Sequence, residues 1–202
     1  MSEKPTNIWT IAEAANGKLK PVSFELLARG RSLADACGEQ LVSVLIGDNV
    51  SDVELRTLIH HGADLVISVQ DPSLDAFIVE TYSNLLIDLV RQLRPNIILA
   101  AATNNGRTLM PHAAMRLHTG LTADCTDLQI DLATGDLLQT RPAIGGNILA
   151  TIKTPNHRPQ MATVRPRSTQ PLPGDASRVG EIRHVTLKPE LVDKRVKLLS
   201  FK

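Results

Sequence analysis

The chain has 202 residues, 43 % of them hydrophobic and only 2 % aromatic, so it can bury one large aliphatic core but lacks rings for stacking single-stranded nucleic acid. The net charge of +1 hides an imbalance, with 10 Lys/Arg against 17 Asp/Glu in residues 1–140 and 12 against 4 in residues 141–202. Either the two parts complement each other or the basic part lies on an acidic partner, and no nucleic-acid motif accompanies the charge.

Cys37 and Cys125 have no metal or disulfide spacing and read as reduced core thiols. There is no signal-like start, and no apolar run approaches the roughly 20 residues of a membrane span. A cytoplasmic protein without membrane insertion is expected.

In chain order, Ile8–Ala12 is a short strand and Asn16-Gly17 a turn. Phe24, Leu27, Leu33, Ala34 and Cys37 form one apolar helical face, and Gly38 ends that helix. Leu41–Ile46 is a buried strand closed by Gly47-Asp48. Ser51, with Glu54 three residues on, makes a capping box for a helix carrying Val53, Leu55, Leu58 and Ile59 and stopped by Gly62. Leu65–Val69 is the next strand. Asp71-Pro72-Ser73 starts a helix reaching Leu93, with Phe77, Ile78, Leu85, Ile87, Leu89, Val90 and Leu93 on its buried side, and Pro95 ends it.

The stretch from Ile97 to Gly120 reads as strand, polar turn and helix. Ile97–Ala102 is apolar, Thr103-Asn104-Asn105-Gly106 breaks the run, and a helix starts near Arg107 with Leu109, Ala113 and Leu117 at four-residue spacing. Pro111 is expected in its first turn and Gly120 at its end. In an open α/β sheet such a turn lies at the carboxyl end of the strand, where ligands bind. Free amides at a helix start, with Arg107 beside them, suit an anion. Asn104, Asn105, Gly106 and Arg107 are therefore candidate anion or nucleotide residues, although the same residues also fit an ordinary βα turn.

Strands alternating with helices up to this point indicate βαβ units and a largely parallel sheet. Beyond Gly120 the rhythm changes. Ala123–Leu132, Asp136–Arg141, Asn147–Ile152 and Gln160–Val164 are short strand-like runs separated by Thr134-Gly135, Gly145-Gly146 and Pro155-Asn156, which are hairpin signals for an antiparallel element. Arg165-Pro166 leads into a linker to about Asp175, and Val185–Phe201 reads as a basic strand and tail.

No Gly-x-Gly-x-x-Gly follows a strand, and no Walker loop or serine elbow is present. The six histidines do not make a metal set: His60 and His61 are adjacent, and His112 and His118 are six apart, off the same-face helical spacing. Asp124 and Asp127 read as residues that cap or solvate a strand end. No catalytic residues are identified.

Taken together, IWTIAEAANGKLKPVSFELLARGRSLAD, AATNNGRTLMPHAAMRLHTGLTADCTDL, TRPAIGGNILATI and RPQMATVRP, in this order and spacing, resemble the N-terminal domain of electron transfer flavoprotein alpha subunits from about Ile8 to Arg167. The resemblance implies an α/β fold, a Rossmann-like three-layer parallel sheet (adenine nucleotide alpha hydrolase-like) with an antiparallel C-terminal extension. It implies an N-terminal domain over residues 1–167, and a linker and basic tail over 168–202 leading to an FAD domain that this sequence lacks, as in a truncated alpha subunit. It further implies a heterodimer with a beta subunit of related fold, which holds AMP or a second FAD. Electrons would pass from acyl-CoA or other flavin dehydrogenases to a quinone reductase or ferredoxin-type acceptor.

The resemblance makes Thr103–Pro111 a degenerate counterpart of the beta subunit's nucleotide turn, one that supports the subunit interface. Arg141 and Asn147, flanking Gly145-Gly146, are read either as contacts to the partner or a flavin edge, or as hairpin residues. Arg165 is expected to anchor the exit towards the absent domain. Two readings from other classes remain: a stand-alone adenine-nucleotide-binding regulator of universal-stress-protein type, with its phosphate on the Asn-Asn-Gly-Arg turn, and a homodimeric interaction module without ligand.

Overall fold

A computed structural model describes residues 5–143, 148–196 and 198. The Asn147 and Gly145-Gly146 expectations lie outside the described residues. Strands β1 (Thr6–Ala12), β4 (Leu41–Gly47), β5 (Leu65–Gln70), β6 (Pro95–Ala101), β7 (Leu121–Cys125), β11 (Gln160–Val164) and β12 (Glu181–His184) form one seven-stranded sheet in the order β12-β5-β4-β1-β6-β11-β7. Every pairing in it is parallel. A two-residue hairpin, β2 (Ala14–Ala15) with β3 (Lys18–Leu19), turns at Asn16-Gly17, both at positive φ. Strands β8 (Asp127–Asp131), β9 (Asp136–Pro142) and β10 (Leu149–Ile152) make a separate antiparallel sheet in the order β10-β9-β8. The three-layer α/β expectation therefore holds.

Parallel strands bury both faces, which is why they read as continuous apolar runs. On one face α1 (Pro21–Cys37) and α2 (Asp52–His60) set Leu26, Leu27, Leu33, Leu55, Leu58 and Ile59 against Ile8, Leu41, Leu45, Ile97 and Leu99. Leu128 and Leu137 bring the antiparallel sheet onto this layer. On the other face α3 (Val79–Leu93) and α4 (Asn104–Leu117) pack Leu85, Leu86, Leu89, Leu109 and Met110 on Trp9, Val42, Val44, Ile46, Ile67, Ile98 and Met161.

Several expectations are corrected. The helix expected from Asp71 is a short 3-10 turn at Pro72–Leu74 followed by a break, and α3 starts at Val79. Asp71 caps only the local turn, accepting from the Ser73 amide at 2.9 Å, and Phe77 leaves the helix to stack edge-on against Tyr82 with ring centroids 4.9 Å apart. The Ser51 capping box is half formed. Ser51 accepts from the Glu54 amide at 3.3 Å, but the Glu54 carboxylate takes the Leu19 amide at 2.9 Å and Lys18 at 3.0 Å, which pins the β2–β3 hairpin to α2.

The run Ala123–Leu132 divides at Thr126 into β7 and β8, because Asp124 sits at φ +61 beside a register shift against β11. The run Gln160–Val164 is not antiparallel: β11 inserts between β6 and β7 in the main sheet. The C-terminal strand lies at Glu181–His184, ahead of the expected Val185–Phe201, where it pairs with the edge strand β5. Lys153, Arg158, Arg165, Arg178 and Lys188 pair with Asp131, Asp136, Asp124, Asp64 and Asp88. The basic part thus complements the chain's own acidic part. Among the described residues no helix is long and apolar enough to cross a membrane.

Candidate functional site

Strand β1 pairs with β4 on one side and with β6 on the other, so the strand order reverses between β1 and β6. Ligands of doubly wound sheets bind at the carboxyl ends of the strands flanking such a point. Here Ile11, Ala12, Glu13, Ile46, Phe77, Tyr82, Ala100 and the start of α4 line a cavity of about 50 Å³. Small-molecule pockets run from roughly 300 Å³ upward. Phe77 and Tyr82 narrow this crevice, and Tyr82 also borders a second cavity of about 200 Å³ with Ala14, Asn16, Gly47 and Asp48.

The start of α4 explains the Asn-Asn-Gly-Arg turn. The helix begins at Asn104, with Thr103 as its cap, accepting from the Gly106 amide at 3.1 Å. The expected start at Arg107 is three residues late because a side-chain cap lets Asn and Gly join the first turn. Pro111 therefore lies well inside the helix, and the left-handed cap is His118 at φ +53, ahead of Gly120. A Cβ on Gly106 would sit 1.9 Å from the Ala101 carbonyl oxygen, so this glycine serves close approach of helix and strand. The Glu13 carboxylate, nine-tenths buried, accepts from the Thr103 hydroxyl and from Lys20 at 3.1 Å. The positive end of α4 thus already has a carboxylate of the chain beside it.

Arg107 and two further sequence candidates converge one strand further on. Arg165, at the end of β11, grips Asp124 with both ends of its guanidinium, Nε at 3.2 Å and a terminal nitrogen at 2.7 Å. Arg107 approaches the same carboxylate at 3.7 Å. The Arg165 hydrogen bond, helped by the fields of Arg165, Arg107 and Arg141, holds the Asp124 carboxyl below its usual range. Three arginines around one carboxylate leave the carboxyl end of β7 and β11 net positive.

Asp124 is the hub that the sequence reading treats only as a strand-end residue. Its signal is weak, since an Asp at positive φ is ordinary turn chemistry until Arg107 and Arg165 meet it. Beneath the cluster Cys125 is buried, and desolvation pushes its thiol up to about 11. The described residues contain no group of His, Cys, Asp and Glu able to hold a metal ion.

Beside this cluster stands the antiparallel sheet, with β10 as its outer edge. Ile148 and Leu149 are 64 % and 65 % exposed, and Ile152 is 39 % exposed. An edge strand with free backbone groups and large apolar side chains is a template for adding another strand.

This geometry defines a doubly wound α/β domain with a narrow crevice at its switch point, an arginine cluster and an exposed apolar strand edge. The chain belongs to the electron transfer flavoprotein family: the family profile described as the electron transfer flavoprotein domain matches residues 8–190. It is 46 % identical over 194 residues to the electron transfer flavoprotein subunit alpha of Thermoanaerobacterium thermosaccharolyticum, covering 96 % of this chain and 58 % of that protein. Over 193 residues it is 44 % identical to the subunit of the same name from Clostridium acetobutylicum, covering 95 % and 57 %. It is also 42 % identical over 182 residues to the acryloyl-CoA reductase electron transfer subunit beta of Anaerotignum propionicum, covering 79 % and 49 %. The chain spans about half the length of the curated relatives it matches.

Proposed function

We propose that this chain is the subunit-pairing domain of an electron transfer flavoprotein alpha subunit, acting as part of an electron carrier and not as a catalyst. The observation that carries the reading is the exposed apolar edge of β10, set beside the Arg107, Arg141 and Arg165 cluster. A beta subunit would add a strand to that edge. Burying a side chain such as Ile148 or Leu149 contributes on the order of 1–2 kcal/mol. The arginines would set register and approach rate more than affinity.

In this reading Arg141 and Arg165 meet the partner or a flavin edge that the partner presents. Asn104, Asn105, Gly106 and Arg107 shape the interface and hold no nucleotide of their own. The 50 Å³ crevice and the Glu13 carboxylate at the start of α4 favour this over a stand-alone adenine-nucleotide regulator. FAD would be held outside this fold, in a C-terminal domain reached through the 168–202 segment, of which Glu181–His184 is itself a strand of the main sheet, with AMP or a second FAD in the beta subunit. The work of the domain is then positional: it fixes the distance across which an electron passes from a flavin dehydrogenase to a quinone reductase or ferredoxin-type acceptor. The name of the Anaerotignum relative, an electron transfer subunit of acryloyl-CoA reductase, supports an electron-transfer partner of that kind.

The test mixes this chain with an electron transfer flavoprotein beta subunit and follows complex formation by size-exclusion chromatography at low and high salt. The wild-type chain is expected to form a one-to-one complex, and Leu149→Glu to lose it without a change in thermal midpoint. Absence of a complex at every salt concentration, or normal pairing by the variant, would overturn the reading.

A further inference from the structure

The opposite, amino edge of the sheet carries a second feature, unrelated to the crevice and the arginine cluster. Helices α3 and α4 both end there, beside the start of β6. Pro5, Val90, Pro95, Leu117 and Pro159 wall a cleft of about 250 Å³, and Arg91, Arg94 and Arg158 line it with them. The lining is apolar apart from the guanidinium groups.

The charge on this cleft is unbalanced. Arg158 shares its charge with Asp136 at 3.2 Å. Arg91 and Arg94 are exposed and make no ion pair with any described residue, although most basic side chains of the C-terminal part find a carboxylate. A cation near a helix C-terminus offsets the helix dipole, which accounts for Arg91 in the last turn of α3. Arg94, one position beyond the last turn, lies at the same negative helix end. Arg94 is the cap itself, at φ +48 and ψ +60, where glycine is the usual residue and a side chain costs about 1 kcal/mol. Arg94 thus lines the apolar cleft with no carboxylate partner among the described residues.

We propose that this cleft is a docking point for an acidic, apolar segment of a protein partner. A leucine-sized side chain would enter between Val90, Leu117 and Pro159, and flanking carboxylates would meet Arg91 and Arg94. The charge complementarity selects this occupant: the walls are apolar and the two free charges are both positive. Arginine presents its donors as a planar fork that matches a carboxylate. The cleft lies at the amino ends of β6 and β11, whereas Asp124 and Arg165 lie at the carboxyl ends of β7 and β11.

The experiment uses the whole chain and a fluorescein-labelled pentapeptide alternating glutamate and leucine, read by fluorescence anisotropy. Saturable binding is expected, and it should weaken by about tenfold in the double variant Arg91→Glu/Arg94→Glu, since exposed ion pairs are each worth at most severalfold in affinity. Arg56→Glu, an exposed arginine on α2 that also makes no ion pair with a described residue, should bind the peptide as the wild type does. Far-ultraviolet circular dichroism of each variant should match the wild type, because all three side chains are exposed. The proposal is overturned by absence of saturable binding, by equal binding of a glutamine-for-glutamate peptide, or by equal binding to the double variant. Tighter capture of an oligothymidine than of the peptide would also overturn it, making the cleft a general polyanion site.

Discussion

Replacing Gly106 by alanine tests whether the Asn-Asn-Gly-Arg turn is built for packing or for an anion. The new Cβ would lie 1.9 Å from the Ala101 carbonyl oxygen and 3.1 Å from its carbon, against a floor near 3.0 Å for real Cβ contacts. The start of α4 must therefore withdraw from β6 by about 1 Å, into a core where Leu109, Met110 and Ala113 are already buried. Overpacking of this kind costs about 1–3 kcal/mol. Loss of the Thr103 cap on the Gly106 amide adds about 1 kcal/mol. The better helix propensity of alanine returns up to about 1 kcal/mol. The expected net loss is about 1–3 kcal/mol, seen in urea as a midpoint lowered by about 1 M with an unchanged slope. Gly38→Ala is the control: Gly38 sits at φ +65 with nothing within 4 Å of the place its new methyl would take, and the variant should lose only about 1 kcal/mol. If Gly106→Ala keeps full stability while phosphate binding by the native chain is lost, the turn is an anion site and not a packing contact.

Other expectations concern titrating groups. The Asp124 carboxyl is lowered from 3.8 by Arg165, so its contribution to stability is complete above that value and is lost as pH falls through the lower folded value. Asp124→Asn, which tolerates the same positive φ, should flatten the acid limb of a stability profile; an unchanged limb would show that the cluster adds nothing. Tyr82 is the sole tyrosine, and burial, reinforced by Asp75 and Asp48, pushes its phenol up to about 12. Absorbance near 295 nm should show no phenolate at pH 10 in the folded chain, and appearance of phenolate there would refute the packed crevice. Cys125, buried and raised to about 11, should resist thiol reagents at pH 8 until urea unfolds the chain. Labelling of Cys125 at the rate of a free thiol would mean that β7 opens locally.

Local chemistry made most of the fold legible. The short apolar runs at Leu41–Ile46, Leu65–Val69 and Ile97–Ala102, bounded by turn formers, read as buried strands, and the turn formers between them marked helix ends. The same rules failed where a neighbour outside the window decided the outcome. Phe77 left its helix because Tyr82 and the crevice offered its ring a better place, and the long run from Ala123 split because β11 entered the sheet between β6 and β7. Among the site candidates, Arg107, Arg141 and Arg165 were each visible as turn arginines, but their common target was not. Asp124 lies 17 residues from Arg107 and 41 from Arg165, and only the order of strands brings them to one carboxylate.

Family and layered architecture follow from the residues alone, because apolar periodicity and motif order are properties of short stretches of chain. Three outcomes needed the packed molecule: the narrow crevice, the requirement for glycine at position 106, and the gathering of the arginines on Asp124. They depend on distances between residues far apart in the chain, fixed when β1 packs between β4 and β6 and both faces of the sheet are covered.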